Sequence, residues 1–114
     1  MDGLIYLATP YSHEDPVIRQ QRFEIVNRVA ASLMSDGNYI FSPISHTHPI
    51  ALAGDLPTCW DYWEQYGRVM LSACVSLYVL CQPGWKESKG VTAEIVIAEE
   101  MGLPIEYIDA YIDP

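Results

Sequence analysis

Apolar positions along the chain follow two spacings, and their alternation predicts the architecture. Leu4 to Ala8 is a short apolar run closed by Thr9-Pro10. It predicts a buried strand, because a parallel strand covered on both faces loses its polar alternation. After a polar stretch from Tyr11 to Glu14, Asp15-Pro16 marks a helix start, with Asp as cap and Pro at the first helical position. Ile18, Phe23, Ile25, Val26, Val29, Ala30, Leu33 and Met34 then recur at helical spacing until Gly37. Tyr39 to Ser42 predicts a second strand. Pro43 to Pro57 holds three prolines, two histidines and Gly54-Asp55, and reads as a long irregular binding loop. Trp60 to Cys74 predicts a helix, with Trp63, Tyr66, Met70 and Ala73 along one face. Leu77 to Cys81 predicts a third strand ended by Pro83-Gly84, and Lys89 to Met101 a helix closed by Gly102. Pro104 to Ile108 predicts a fourth strand, followed by a six-residue tail.

The order β-α-β-loop-α-β-α-β implies an α/β fold of three layers. It is a Rossmann-like or flavodoxin-like parallel sheet of four to five strands with right-handed crossovers and helices on both faces. One domain over residues 1–114 is expected, since 114 residues suffice for one core. In such sheets ligands bind at the carboxyl ends of the strands. Here that edge collects Ala8-Thr9-Pro10-Tyr11, the loop from Ser42 to His48, and Gln82 to Gly90.

Composition narrows the partners. Half of the chain is apolar, and fifteen acidic residues oppose six basic ones, for a formal charge of -9. That disfavours a nucleic-acid polymer, whose phosphates need clustered Lys and Arg. It leaves room for a single nucleotide held by backbone N–H groups. Cys59, Cys74 and Cys81 form neither a disulfide framework nor a zinc spacing. No apolar run is long enough to cross a bilayer, and MDGLIYLATP has no signal-peptide pattern. A soluble cytoplasmic protein with no membrane partner is expected.

The segment from Trp85 to Glu94 carries the most chemistry. A strand ends, a Pro-Gly turn follows, and Ser88 can cap the next helix. The N–H groups of Lys89, Gly90 and Val91 then converge on a site for an anion. Gly90 allows close approach to the backbone. Glu94 lies one turn further in on the face of Gly90, where the helix dipole favours its ionised form. A carboxylate so placed suits attack on a sugar anomeric carbon. Spacing alone is met more readily by an ordinary cap at Ser88 and a solvent-facing Glu94.

Two motifs resemble the nucleoside 2-deoxyribosyltransferase superfamily, and within it the small group labelled DUF1937. Ile5-Tyr6-Leu7-Ala8-Thr9-Pro10-Tyr11 resembles that superfamily's Y-L-A-x-P-[YF]. Gly84-Trp85 with Ser88-x-Gly90-x-x-x-Glu94 resembles its S-x-G-x-x-x-E. The run from Ser42 to Ile50 suggests the subgroup. The resemblance implies that Glu94 attacks C1′ of a nucleoside or nucleotide, that the base leaves, and that a second base or water resolves the glycosyl-enzyme with retention. Tyr6 would orient Glu94, and Ser88 and Gly90 would hold the 5′ group. Two acidic residues of the superfamily have no counterpart here: Gly67 and Val75 stand near their aligned positions. Asp55 and Asp61 are the nearby carboxylates that remain.

Of the other residues, Arg19 is expected to reach a phosphate, His46 to line the pocket while the other histidine is structural, and Trp85 to stack on a base. Ala8 and Pro10 belong to the substrate-binding turn after the first strand. His13, His46 and His48 lack helpful metal-ligand neighbours apart from Asp55, so no metal and no cofactor are expected. The expected function is an N-glycosidase or deoxyribosyltransferase acting through Glu94. The alternative is a catalytically weakened nucleotide-binding protein. Relatives in the superfamily assemble, so a homodimer or higher homo-oligomer is expected.

Overall fold

The computed structural model describes residues 3–109. The chain runs β1 (Leu4–Ala8), α1 (Pro16–Ser35), β2 (Ile40–Phe41), α2 (Pro43–Gly54), α3 (Trp60–Ser72), β3 (Cys74–Cys81), α4 (Lys89–Glu100) and β4 (Ile105–Asp109). The four strands form one parallel sheet in the order β2-β1-β3-β4. Of the expected tail, Asp109 completes β4, and the rest lies outside the described residues.

Period two sorts the side chains of the strands to two cores. Tyr6 and Ala8 of β1, with Leu77 and Val79 of β3, pack against Leu71 of α3 and Val91, Ile97 and Ala98 of α4. Leu7 and Leu80 face the other way, onto Val26, Val29 and Ala30 of α1. Helices therefore cover both faces, which is the three-layer arrangement. The chain crosses leftward from β1 to β2 and rightward from β2 to β3. The strand order thus reverses beside β1, and the carboxyl ends of β1 and β3 flank a crevice.

The helix ends follow their local chemistry. The Asp15 carboxylate accepts from the Val17 N–H at 2.9 Å, and Pro16 opens α1 where no N–H is required. Beyond β3, the Trp85 N–H donates to the Gln82 carbonyl at 3.1 Å, closing a turn with Pro83 and Gly84 at its centre. Gly84 has φ +96°, which a type II turn reserves for glycine at this position.

The segment from Pro43 to Gly54 is a helix and not the irregular loop that its prolines suggested. Pro43 sits at the first helical position, where it is tolerated. Pro49 lies inside the helix on its exposed side. Ile44, His48 and Ala51, spaced at four and three residues, form the inner stripe that holds the helix against the rest of the domain. Burial of that stripe outweighs the loss of one helical hydrogen bond at Pro49. α2 ends at Asp55, in the left-handed region at φ 54°.

The central strands carry the core. Leu77 is fully buried, so Leu77→Ala should lower the unfolding free energy by ~2–5 kcal/mol. Tyr39→Ala, at a residue 59% exposed, should stay within ~0.5 kcal/mol. Urea denaturation of the two variants checks the contrast, and comparable losses would contradict the placement of the core.

Candidate functional site

The crevice at the carboxyl ends of the strands is a cleft of about 240 Å³. Four segments line it. Thr9, Tyr11 and Ser12 follow β1, and Pro43, Ile44, Thr47, His48 and Ala51 come from α2. Thr58 to Trp60, with Trp63, Tyr66 and Gly67, come from α3 and its approach. Glu87 to Gly90 and Glu94 come from α4 and its approach. Tyr6 is also part of the lining. The volume lies somewhat below the ~300–1,000 Å³ usual for small-molecule pockets, which sets the scale at one small ligand.

Glu94 and Tyr6 are brought together in this cleft. The Tyr6 hydroxyl donates to Glu94 Oε2 at 2.5 Å. Tyr6 comes from the β1 face that packs on α4. Glu94 belongs to the buried stripe of α4 with Val91, Ile97 and Ala98. A carboxylate in an apolar stripe is disfavoured as an anion. Burial pushes the Glu94 carboxyl up to about 7, and the Tyr6 hydrogen bond opposes that rise. The expectation that the helix dipole would hold Glu94 in its ionised form is corrected accordingly: desolvation is the larger effect at a site 7% exposed. Burial and the neighbouring carboxylate raise the Tyr6 phenol well above its usual range, so it stays a donor.

The start of α4 is built as expected in part. Ser88 Oγ accepts from the Val91 N–H at 3.1 Å, so that amide is occupied by the cap. The amides of Lys89 and Gly90 remain at the helix start. The Lys89 ammonium pairs with Asp61 at 2.7 Å on the exposed rim. Asp61 thus joins the first turns of α3 and α4 and does not line the cleft. Asp55 caps α2 and also lies outside the lining.

The indole of Trp60 occupies the gap between two glycines. A Cβ at Gly67 would lie 3.0 Å from the Trp60 ring and 3.5 Å from the Tyr6 hydroxyl, and one at Gly90 would lie 3.5 Å from the same ring. Position 67 therefore faces the Tyr6–Glu94 pair. It carries no side chain, and an aromatic ring fills the space.

In the wall of the cleft, His48 is held on three sides. Its Nε2 lies 3.0 Å from Gln20 Oε1. That oxygen only accepts, so Nε2 carries the proton. Nδ1 then accepts from the Tyr11 hydroxyl at 2.6 Å. Phe23 stacks on the ring with centroids 4.3 Å apart. Burial, and then the nearby Arg19 charge, lower the His48 pKa, which keeps the ring neutral. Gln82 Nε2 donates to Thr9 Oγ1 at 2.5 Å and to the Arg22 carbonyl at 3.3 Å. Arg22 in turn donates to the carbonyls of Ser12 and Pro83. The loops after β1 and β3 are thereby tied together.

Several residues expected at the ligand lie elsewhere. Ala8 and Pro10 are fully buried and do not contribute to the lining: Ala8 faces the core from β1, and Pro10 is covered just beyond its end. Arg19 donates to the His13 carbonyl and so secures the loop before α1. His46 is exposed and lies beside Tyr66 and Phe41, outside the cleft. The reason is the helix: residues two apart share a face in a strand but diverge by about 200° in a helix. His48 takes the inward position instead. Trp85 packs on Tyr107, with centroids 5.6 Å apart, because the Pro83-Gly84 turn directs it toward β4. Trp63 and Tyr66, expected along one face of their helix, line the cleft. Tyr11 and His48, within the segments expected at the ligand edge, and Trp60 line the cleft although none was expected as a binding residue. The 44-48-51 spacing could have placed His48, while Tyr11 and Trp60 depend on contacts remote in sequence.

Fold and site together define a three-layer α/β protein with a buried, tyrosine-bonded glutamate in a cleft at the carboxyl edge of its sheet. The family model described as "Domain of unknown function (DUF1937)" matches residues 3–109, and the chain belongs to that family. A comparison with curated proteins finds no match. Among the described residues, no helix is long and apolar enough to cross a membrane, and no group of His, Cys, Asp and Glu side chains is arranged to hold a metal ion.

Glu94 ties stability to pH. Its folded pKa lies above the ordinary 4.5, at about 7, so the folded state binds the proton more tightly. Its contribution is full below pH 4.5 and is lost as pH rises to about 7. The loss is on the order of 3 kcal/mol. Urea midpoints for wild type and Glu94→Gln should therefore converge at low pH, with only wild type falling across that window. Parallel profiles would show that Glu94 does not titrate there.

Proposed function

We propose that the protein cleaves or transfers the N-glycosidic bond of a nucleoside or nucleotide, with Glu94 as nucleophile at C1′ and Tyr6 as its positioning partner. The observation that carries this reading is the Tyr6–Glu94 hydrogen bond inside the cleft. A buried carboxylate with a titration point near neutrality, open to a small ligand site, is the equipment of covalent glycosyl transfer. The resemblance of the Ile5–Tyr11 and Ser88–Glu94 motifs to the nucleoside 2-deoxyribosyltransferase superfamily supports the same reading.

In the proposed reaction, an ionised Glu94 oxygen bonds to C1′ as the bond from C1′ to the base nitrogen breaks. Water or a second base then attacks C1′ from the opposite face and releases the carboxylate. Two displacements at one carbon give net retention. Ser88 and Gly90, at the start of α4, are proposed to hold the 5′ end. His48 and Tyr11 form a neutral, ordered wall.

A second reading, ligand binding without turnover, is favoured by position 67. The superfamily's acid is replaced there by Gly67, and the Trp60 ring fills the site.

Wild type and Glu94→Ala should be incubated with ribo- and deoxyribonucleosides and their monophosphates, covering purine, pyrimidine and pyridine bases. Free base is followed by chromatography. Release by wild type alone is expected. The rate should rise with pH through about 7 as Glu94 ionises. Tyr6→Phe removes the bond that holds the Glu94 pKa down, so it should move that limb to higher pH. Thermal stabilisation by a ligand without release would favour the binder. Neither release nor stabilisation would overturn both readings.

A further inference from the structure

The protonated groups of the cleft are largely committed to one another. The Tyr6 hydroxyl donates to Glu94, and the Tyr11 hydroxyl donates to His48. The remaining His48 N–H is given to Gln20. Lys89 is paired with Asp61 at the rim. The other carboxyl group in the lining, Glu87, is exposed on the turn before α4. From α3, a Cβ at Gly67 would lie 3.5 Å from the Tyr6 hydroxyl, and the Trp60 ring covers that position.

A neutral nucleoside loses its base as an anion unless an acid protonates it, and such an acid contributes about 10²–10⁴-fold. A base that already carries a positive charge leaves as a neutral molecule and needs no proton. The cleft suits such a group in two further respects. Trp60, Trp63 and Tyr66 line it, and aromatic rings attract flat cations. The chain carries a formal charge of -9, which favours approach of a cation.

We infer that the substrate is an N-riboside with a cationic base, of the pyridinium or N-alkylpurinium class, recognised by the aromatic wall and the Glu94 carboxylate. The inference rests on the glycosidase reading and sharpens it. The electron pair of the C1′–N bond passes to the ring nitrogen and discharges the cation as the Glu94 oxygen bonds to C1′. Water then attacks C1′, gives the sugar hydroxyl, returns the carboxylate and releases one proton.

The test compares 7-methylguanosine with guanosine, which differ by a methyl group and a positive charge, and adds nicotinamide riboside as the pyridinium case. Base release is measured at about pH 6.5, where 7-methylguanosine keeps its N1 proton and its positive charge and a fraction of Glu94 is ionised, and is corrected for release in buffer. The cationic ribosides should be cleaved at least ~10²-fold faster than guanosine, and Glu94→Ala should abolish the difference. Comparable rates on guanosine and 7-methylguanosine would reveal a proton donor and overturn the inference, while leaving the glycosidase reading intact. Glu94-dependent release from neutral nucleosides alone would do the same. No release from any of these ribosides, nor from any member of the broader panel, would remove the glycosidase reading and the inference with it.

Discussion

The bond between the Tyr6 hydroxyl and the Glu94 carboxylate joins the central strand to the last helix across 88 positions of sequence. It also makes a buried acid tolerable. Glu94 occupies a stripe position that Val91, Ile97 and Ala98 share, so α4 can pack on the sheet only with that carboxyl inside. An unpartnered carboxylate there would be strongly disfavoured. One phenolic donor moderates the penalty without cancelling it, and the group is left titrating near neutrality. The site is thus less stable than an apolar one would be, and the domain must offset that through its two hydrophobic cores. Structural need alone gives no reason to keep a carboxyl at this position, since a leucine would fill the stripe.

The same logic extends to the edge of the sheet. Thr9, Gln82 and Arg22 form a short polar chain that ties the loop after β1 to the turn after β3. Gln82 is 1% exposed, and both of its contacts are made by its amide nitrogen. Tyr11, His48 and Gln20 form a second chain that anchors α2 to α1. Buried polar chains of this kind hold side chains in one geometry when their members are satisfied. No buried side-chain nitrogen or oxygen among the described residues lacks a partner. The cleft is therefore framed by ordered walls before any ligand arrives, which reduces the ordering required on binding.

The strands, three of the helices and the caps Asp15 and Ser88 were legible because each depends on neighbours in sequence, although Cys74, expected to end α3, opens β3. Asp15-Pro16, Ser88 and Pro83-Gly84 act within a single turn, and their chemistry decides the local backbone. α2 was hidden because prolines were weighed as breakers, although Pro43 stands where a helix accepts one and Pro49 faces outward. That single misreading displaced His46 and His48 together, since a change of period exchanges which of two residues points inward. Trp85 was misplaced for a related reason. Adjacency to the start of α4 says nothing about the direction in which a glycine turn sends the side chain. Glu94 was legible from its place one turn past Gly90 and Tyr6 through motif resemblance, whereas their shared hydrogen bond depends on how β1 and α4 pack.

Position 67 connects packing to chemistry. α3 and α4 approach each other at Gly67 and Gly90, and the closeness leaves a slot that the Trp60 ring fills. A side chain at 67 would compete with the indole for that space and would stand 3.5 Å or so from the Tyr6 hydroxyl at its first carbon. An acid beside Glu94 and an aromatic wall at Trp60 are therefore alternatives that one slot cannot easily hold together. Glycine at 67 leaves that space to apolar surface. On the proposed function, a carboxylate facing an aromatic wall would stabilise positive charge on the ligand, whether that charge resides on the base at the outset or develops on the sugar as the bond breaks. If the charge is present from the start, stacking on the wall and attraction to Glu94 act in the ground state as well. They then favour binding at least as much as turnover, and a poised nucleophile and a ligand trap are built from the same residues.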